Sequence, residues 1–242
     1  LGHFRAFHNK KTGRRYWVEN YLDNFTTEVK KHIRPGTNSV NIGVITDTHF
    51  KDKDSSDFYG FNGLQHVQEF SYLDQSGLLD LKVHLGDWID GSDAGLVSES
   101  ELVKLNKSFK SDQVPYLSIK GNHDENDKFD EHHDLKASFP ENEFENIMWP
   151  DMYRQRGIHY VSRQHGVAYF DLDDVRAISV NTSDVPYELN NRGQKRYDNK
   201  IVLAVREDQI EEIIEILANS SNKKIIFMSH ANPINRKGSN AL

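Results

Sequence analysis

Four apolar runs of the chain each end in residues that can bind metal ions or move protons. The first run ends as GVITDTH, which places a carboxylate at Asp47 and an imidazole at His49. The later runs end in the strings GDWID, GNHD and SHANP. Carboxylate oxygen, amide oxygen and imidazole nitrogen bind hard and borderline divalent ions without any thiolate. One such string is common in an ordinary turn, but four in succession favour a metal site over four unrelated turns.

A site for two ions follows from the donor types in these strings. Two-metal hydrolases hold their ions about 3.5–4 Å apart, and one carboxylate can bridge them. Asp87 ends the middle one of three strand-like runs and is the natural bridge. Gly86 and Gly121 stand beside the candidate ligands, where a residue without a Cβ allows tight turns and close approach of two backbones.

The apolar runs predict the strands of an α/β protein, because they are short, rich in β-branched residues and bounded by turn signals. The predicted strands lie at 40–46, 81–86, 115–121, 158–162, 166–172, 175–181 and 223–229. Helical patterns separate the first three, and the next three are expected to be consecutive antiparallel strands. This order indicates a mixed sheet. In such folds ligands collect at the carboxyl ends of the strands, which is where the polar strings stand.

Two helices have signals that can be stated in detail. Ser98 and Glu101 have the spacing of a capping box, which predicts that a helix begins at Ser98. A later segment, REDQIEEIIEILANS, has apolar residues at relative positions 0, 3, 4 and 7. Such a stripe predicts an amphipathic helix with one face toward the core. Its members are Ile210, Ile213, Ile214 and Leu217.

Residues 1–39 differ from the rest of the chain in being basic and aromatic. Four of their side chains are spaced by four residues: Trp17, Tyr21, Phe25 and Val29. This spacing predicts a helix packed on the body of the protein. A Pro-Gly pair at positions 35 and 36 then interrupts the pattern. We therefore divide the chain into an N-terminal extension, 1–39, and a main domain, 40–242.

Composition excludes several classes of function. The chain has 242 residues and no cysteine, which excludes disulfides, zinc–thiolate sites and thiol catalysis. Its formal charge of −7 argues against a broad nucleic-acid footprint, which needs clustered Lys and Arg. A nucleotide stays open as a small substrate. No apolar run approaches the roughly 20 residues of a membrane span. The cellular location stays open.

Taken together, DTH, GDWID, GNHD and SHANP resemble the motif series of the calcineurin-like metallophosphoesterases, from about Val40 to Pro233. The resemblance implies a four-layer α/β/β/α sandwich, in which two mixed β-sheets are flanked by helices. It also implies two divalent metal ions, manganese, iron or zinc, and the hydrolysis of a phosphate mono- or diester by a metal-bound water. The substrate would be a small or exposed phosphate ester.

The same resemblance implies a role for each site residue. His123 would be the general acid that protonates the leaving oxygen, or a phosphate contact. Asp90 would orient His123 by accepting its ring N–H. The metal ligands would be Asp47 and His49 at the first ion, Asp87 as the bridge, and Asn122 and His230 at the second ion.

The chain departs from the family pattern at two places. The family has a Gly-His-x-His element after a further strand, with one histidine for each ion, and no such string follows His230 here. We therefore expect a domain without its last strand or strands, in which water completes the metal shells. Gly91 stands where the related protein Ser/Thr phosphatases have an arginine that grips phosphate, which argues against a protein phosphatase.

A second function stays open beside the enzyme. The chain could be a module of a larger bacterial or phage structural or surface protein, in which catalysis is accessory or lost. The aromatic N-terminal segment motivates this alternative. Metal-dependent hydrolysis would separate the two possibilities.

Overall fold

The computed structural model describes residues 4–9, 14–19, 21–33, 39–52, 62–197 and 203–232. Three sheets are present in this part of the chain, with two, three and four strands. Among the described residues, none of the helices has the length and apolar content needed to cross a membrane. Pro233, the last residue of the SHANP string, lies outside the described residues.

The first sheet is parallel and consists of β3 (Ile42–Ile45), β4 (Leu81–His84) and β5 (Tyr116–Ser118), in that order. Helix α2 (Gly63–Ser71), followed by a turn of 3₁₀-helix, connects β3 to β4. Helix α3 (Gly95–Phe109) connects β4 to β5. All four residues of β4 are buried, as is usual for the central strand of a parallel sheet that is covered on both faces.

The second sheet has the order β6 (Ile158–His159), β7 (Tyr169–Leu172), β8 (Val175–Val180) and β9 (Lys224–Ser229). The first three of these strands are antiparallel, as the sequence predicted. Helix α6 (Glu207–Ala218) then connects β8 to β9, which pair in parallel. The second sheet is therefore mixed, whereas the described strands of the first sheet are all parallel.

The core lies between the sheets and the helices that cover them. Helices α4 (Asp127–Glu131) and α5 (Glu143–Tyr153) connect the first sheet to the second, and α5 contacts α3, β5 and β6. Both faces of strand β8 are packed. The Ala177 side chain belongs to the large core cluster on one face, and the Ile178 side chain packs against α6 on the other. Such alternation follows from the two-residue period of a strand. The predicted α/β architecture, two sheets flanked by helices, is confirmed.

The N-terminal prediction was wrong in one part. Residues Phe4–Asn9 (β1) and Arg14–Glu19 (β2) form an antiparallel pair, so Trp17 belongs to a strand and not to the predicted helix. Tyr16, Trp17 and Val18 have high β propensity, and pairing with β1 outweighs the helical spacing of Trp17 with Tyr21. Helix α1 covers Tyr21–His32, and the Tyr72 hydroxyl donates a hydrogen bond to Asp23 at its start, 3.0 Å away. The domain boundary at residue 39 stays a prediction.

Two details of the helix predictions were also wrong. Helix α3 begins at Gly95, so Ser98 lies inside it and its hydroxyl donates back to the Asp93 carbonyl at 3.2 Å. Glu101 is no cap, because its carboxylate accepts the backbone N–H of Asp52 at 2.7 Å. In α6, Ile213 is buried as predicted, but Ile214 is 59% exposed.

The core-facing side of α6 includes polar residues, because they have buried partners. Gln209 and Glu212 are buried together with Ile213 and Ile216. The Gln209 side chain donates hydrogen bonds to the Asn181 carbonyl at 3.0 Å and to Asp184 Oδ2 at 2.8 Å. Because of these contacts, the side of α6 that faces the core differs from the apolar stripe that the sequence predicted.

Candidate metal centre

The loops after β3 and β4 run side by side beyond the ends of the strands. The backbone N–H of Asp47 donates to the Gly86 carbonyl at 3.0 Å, and that of His49 donates to the Asp87 carbonyl at 3.0 Å. Parallel pairing therefore continues past the last strand residue. This pairing holds the predicted ligands of the two loops next to each other.

Three predicted ligands have a left-handed backbone. The φ angles are 52° at Asp47, 42° at His49 and 53° at Asp87. Non-glycine residues rarely adopt this region, and strain of this kind costs of order 1–3 kcal/mol per residue and clusters at functional sites. Local sequence patterns did not reveal it. The strained turns direct the side chains of the two loops toward one another.

Gly86 and Gly121 let the β4 and β5 loops touch. A Cβ atom on Gly86 would lie 2.6 Å from the Gly121 nitrogen, and Gly86 has a φ of 107°. A Cβ on Gly121 would lie 2.2 Å from the backbone nitrogen and from Oδ1 of Asp87. The close backbone approach predicted from these glycines is therefore present.

The Asp87 carboxylate lies at the centre of the predicted ligands. Its side chain is only 5% exposed. Three ring nitrogens surround its Oδ2 atom: His230 Nε2 at 3.4 Å, His49 Nε2 at 3.5 Å and His123 Nε2 at 4.0 Å. His49 Nε2 also lies 3.7 Å from Asp47 Oδ1. One carboxylate oxygen thus faces donors from three other loops.

His230, which follows β9 of the second sheet, lies in the same site. Its Nε2 lies 2.9 Å from Oδ1 of Asn122. Its Nδ1 donates to the Leu85 carbonyl at 3.1 Å, which fixes the ring so that Nε2 faces the ligands. The following residue, Ala231, donates its backbone N–H to Thr182 Oγ1 at 3.0 Å. The loops after β8 and β9 are thereby joined beside His230.

His123 contacts the predicted residue, Asp90, through the main chain of Asp90. Its Nδ1 lies 2.9 Å from the main-chain carbonyl of Asp90, so the carbonyl and not the Asp90 carboxylate accepts the ring N–H. Its own backbone N–H donates to Asp87 Oδ1 at 3.0 Å. The ring meets that of His49 edge-on, with centroids 4.7 Å apart. Its Nε2 therefore faces the Asp87 carboxylate.

The Asp90 carboxylate has partners of its own. Lys128 Nζ lies 3.0 and 3.1 Å from its two oxygens, and the Ser92 hydroxyl donates to Oδ2. Burial raises the pKa of Asp90, but the hydrogen bonds from Ser92 and Lys128 outweigh it and hold the pKa below its ordinary value. Asp90 is therefore ionised at neutral pH and paired with a lysine.

Asp124 is a residue of the site to which we assigned no role from the sequence. Its carboxylate is fully buried and accepts four backbone N–H groups: those of Asp87 at 3.1 Å, Trp88 at 2.8 Å, Ile89 at 3.3 Å and Gly121 at 2.7 Å. Burial and the nearby Asp87 carboxylate raise the pKa of Asp124. Its place in the GNHD string was the available signal. The residue joins the β4 and β5 loops.

The donor set fits two divalent ions. Ligand atoms about 2.0–2.2 Å from one ion lie roughly 3–3.6 Å from each other, and most of the separations above fall in or near this range. Burial lowers the pKa of His49, so its ring is neutral and has a lone pair for an ion at pH 7. Two groupings of close donors include His49: one with Asp47 and Asp87, the other with Asp90 and His123.

His84, inside β4, is a core residue. It is fully buried and stacks on the Trp88 ring with centroids 3.6 Å apart. Its Nε2 lies 3.1 Å from Thr48 Oγ1, and its Nδ1 accepts the backbone N–H of Gly86 at 3.1 Å. Both ring nitrogens are occupied, so His84 supports the loops and is not available as a ligand.

The geometry can be compared with known proteins. A sequence model described as calcineurin-like phosphoesterase matches residues 40–241. Among curated proteins, none matches the chain significantly. Among solved structures, the fold is similar to that of a dimetal phosphatase from Danio rerio, with a TM-score of 0.54 and 14% sequence identity. That similarity covers 81% of this chain and 70% of the other, and at this identity it supports the fold alone.

Proposed function

We propose a mechanism by which this chain hydrolyses a phosphate ester. The chain belongs to the calcineurin-like phosphoesterase family. Membership makes the protein a metal-dependent phosphoesterase. The number and identity of the ions, the role of each residue and the class of ester are our proposal. The observation that carries it is the convergence of three histidine Nε2 atoms on one oxygen of the buried Asp87.

Five side chains would hold two divalent ions, manganese, iron or zinc. The loops after β3 and β4 contribute to one ion, and the loops after β4, β5 and β9 contribute to the other. When bound, such ions supply an activated water and neutralise the charge of the phosphate. The first set is Asp47, His49 and Asp87, and the second is Asp87, Asn122 and His230. Asn122 binds through a neutral amide, which adds no negative charge to repel an anionic ester.

His123 would hold the proton for the leaving group. Its Nδ1–H is fixed on the Asp90 carbonyl, so a second proton can reside only on Nε2, which faces Asp87. From there it can pass to the oxygen of the departing alcohol, which is general acid catalysis. The Asp47 side chain is 52% exposed, so the site opens to solvent on that side. A small or exposed phosphate mono- or diester can enter there.

The test is hydrolysis of two generic aryl phosphates, para-nitrophenyl phosphate and bis(para-nitrophenyl) phosphate, by chelated protein to which one metal is returned at a time. We expect activity only with added ions, and we expect the two substrates to separate monoesterase from diesterase activity. Asp87→Asn should lose more than 100-fold in kcat/KM. His132→Ala, which changes an exposed histidine outside the site, is the matched control. Equal activity of Asp87→Asn and wild type would exclude the proposal.

A result without any hydrolysis would favour the other function. If the folded protein binds divalent ions but hydrolyses neither ester with any metal, the module of a larger structural or surface protein becomes the better interpretation. In that case the Asp87→Asn variant should still bind divalent ions more weakly than wild type, because Asp87 binds metal whether or not the protein is catalytically active.

A further inference from the structure

A second group of ligand-type side chains lies between β6–β7 and helix α6. His165, which stands before β7, has a side chain that is only 2% exposed. Its Nε2 lies 3.0 Å from Oδ2 of Asp208 and 4.0 Å from Oε1 of Glu212. Asp208 and Glu212 are four residues apart on α6, so both face the same side of the helix. An imidazole and two carboxylates therefore lie near one another, outside the metal centre formed by the loops after β3, β4, β5 and β9.

The other ring nitrogen of His165 is fixed by a carboxylate. Its Nδ1 lies 3.1 Å from Asp184 Oδ2, and Asp184 also accepts hydrogen bonds from Arg206 Nε and Gln209 Nε2, both at 2.8 Å. Burial raises the pKa of Asp184, but its hydrogen bonds with His165, Arg206 and Gln209 lower it to about 2. The contact directs the Nδ1–H of the ring at Asp184. Burial lowers the pKa of His165, but the hydrogen bond to Asp184 and the charges of Asp184 and Asp208 raise it above its ordinary value, so an ion at Nε2 would take the place of a second proton.

Arg206 also lies beside His165 Nδ1. Its Nη2 lies 3.2 Å from His165 Nδ1, but it is also 2.8 Å from Asp184 Oδ1, which neutralises its charge. Metal-binding histidines donate the N–H of their far ring nitrogen to a carboxylate, a backbone carbonyl or water, which sets the tautomer and the ring orientation.

Two atoms of this group lack partners. His165 Nε2 and Glu212 Oε2 are buried, and neither makes a hydrogen bond to any of the described residues. The 3.0 Å contact of Nε2 with Asp208 does not have the direction of a hydrogen bond. A lone pair that faces two carboxylates is repelled by them, and buried polar atoms without partners are rare in folded proteins. A cation between the three groups would satisfy all of them.

An ion can reach this place from solvent. A cavity of about 410 Å³ is lined by His165 and Asp208 together with Arg163, Asn142 and Glu145. Its volume is enough for several water molecules. Water from the cavity can complete the coordination of an ion held by the protein on the other side.

We propose that His165 Nε2 and the carboxylates of Asp208 and Glu212 form a third metal site, which binds a borderline divalent ion such as Zn²⁺. Ligand atoms about 2.0–2.2 Å from one zinc ion lie roughly 3–3.6 Å apart, so the contact of His165 with Asp208 at 3.0 Å already fits, whereas Glu212 Oε1, 4.0 Å from His165 Nε2, must move closer to bind the same ion. One imidazole and two carboxylates suit zinc and similar ions. The ion would tie α6 to the segment before β7.

The experiment counts Zn²⁺ ions bound by the full chain, by equilibrium dialysis of chelated protein followed by elemental analysis. Wild type is compared with Asp208→Asn, Glu212→Gln and His165→Ala. We expect each variant to bind one ion fewer per chain than wild type, or to bind that ion at least tenfold more weakly. Glu211→Gln, an exposed neighbour on α6 with the same change of charge, should bind as many ions as wild type.

The alternative is that His165 carries a second proton in place of a metal ion. Ring ¹⁵N resonances distinguish the two: Zn²⁺ at Nε2 shifts that resonance on titration, and an imidazolium shows two protonated nitrogens and no response. Equal ion counts and affinities for wild type and a folded Asp208→Asn variant would overturn the proposal. If His165→Ala does not fold, Asp208→Asn decides, since the Asp208 side chain is 56% exposed and tolerates substitution.

Discussion

Nε2 of His230 lies 2.9 Å from Oδ1 of Asn122, although the two residues are 108 positions apart in the chain. Asn122 follows the last strand of the first sheet, and His230 follows the last described strand of the second. The contact therefore closes the site across the two sheets. It brings a neutral amide and an imidazole within the separation expected for two ligands of one ion.

Asn122→Asp tests the importance of that neutral amide. An added carboxylate beside Asp87 should preserve or strengthen metal binding, while repulsion of the anionic ester raises KM about tenfold or more. Metal titration and steady-state kinetics with an aryl phosphate measure the two effects separately. Asn219→Asp, at an exposed position after α6, controls for the change in net charge. An unchanged KM would show that Asn122 does not face the substrate.

His123→Ala and Asp90→Asn should differ sharply. Loss of the general acid lowers kcat by about 10²–10⁴, because it removes the imidazole that holds the proton for the leaving group. Asp90→Asn keeps the main-chain carbonyl that accepts the Nδ1–H of His123, so we expect less than a tenfold loss in kcat. The kcat values of both variants over pH 5–9 provide the comparison. An equal loss in both would show that the Asp90 carboxylate, and not its carbonyl, positions the ring.

Asp124→Asn should destabilise the protein and loosen the centre. The carboxylate accepts four backbone N–H groups, and an amide NH₂ in its place would face two of these donors. We expect a loss of about 3 kcal/mol in the free energy of unfolding, measured by urea denaturation of chelated protein. Asp112→Asn, on an exposed loop, should change it by less than about 0.5 kcal/mol. A similar small effect at Asp124 would contradict its role in joining the two loops.

Glu101 predicts a pH dependence of stability. Burial raises the pKa of Glu101 from 4.5 to about 7. The folded protein therefore binds this proton more tightly than the unfolded chain, and its contribution to stability is present below about pH 4.5 and is lost as the pH rises through 7. Glu101→Gln keeps an acceptor for the Asp52 N–H and carries no charge.

The Glu101→Gln variant should be about 2 kcal/mol more stable than wild type at pH 8 and equally stable at pH 4.5. Urea denaturation of both chelated proteins at the two pH values tests this. Glu99→Gln, on the same helix, should show no such difference between the two pH values. A constant difference between Glu101→Gln and wild type at both pH values would show that Glu101 does not titrate in this window.

Removal of metal ions should lower thermal stability. Ions that bind only the folded state stabilise it by about 2.7 kcal/mol at 100 times the dissociation constant, which corresponds to roughly 5–10 °C in Tm for a chain of this size. Ions bound by Asp47, His49 and Asp87 would offset the backbone strain of these three residues. We expect Asp87→Asn to show less than half of the wild-type shift when Mn²⁺ is returned. Equal shifts in the two proteins would place the stabilising ions elsewhere.

The sequence by itself determined the strand ends and the types of their polar residues. An apolar run that stops at Asp47, Asp87 or Asn122 marks the carboxyl end of a strand, and parallel pairing places those ends at one edge of the sheet. The family and the architecture followed from the same strings. These features are readable because each depends on residues close together in the chain.

Only the tertiary structure decided which atoms face each other. The acceptor at His123, the four N–H groups around Asp124 and the face of α6 that carries Glu212 all depend on segments far apart in the chain. The strand at Trp17 likewise depends on its pairing partner. Local periodicity does not contain such information, because hydrogen-bond direction and burial arise only when distant segments pack together.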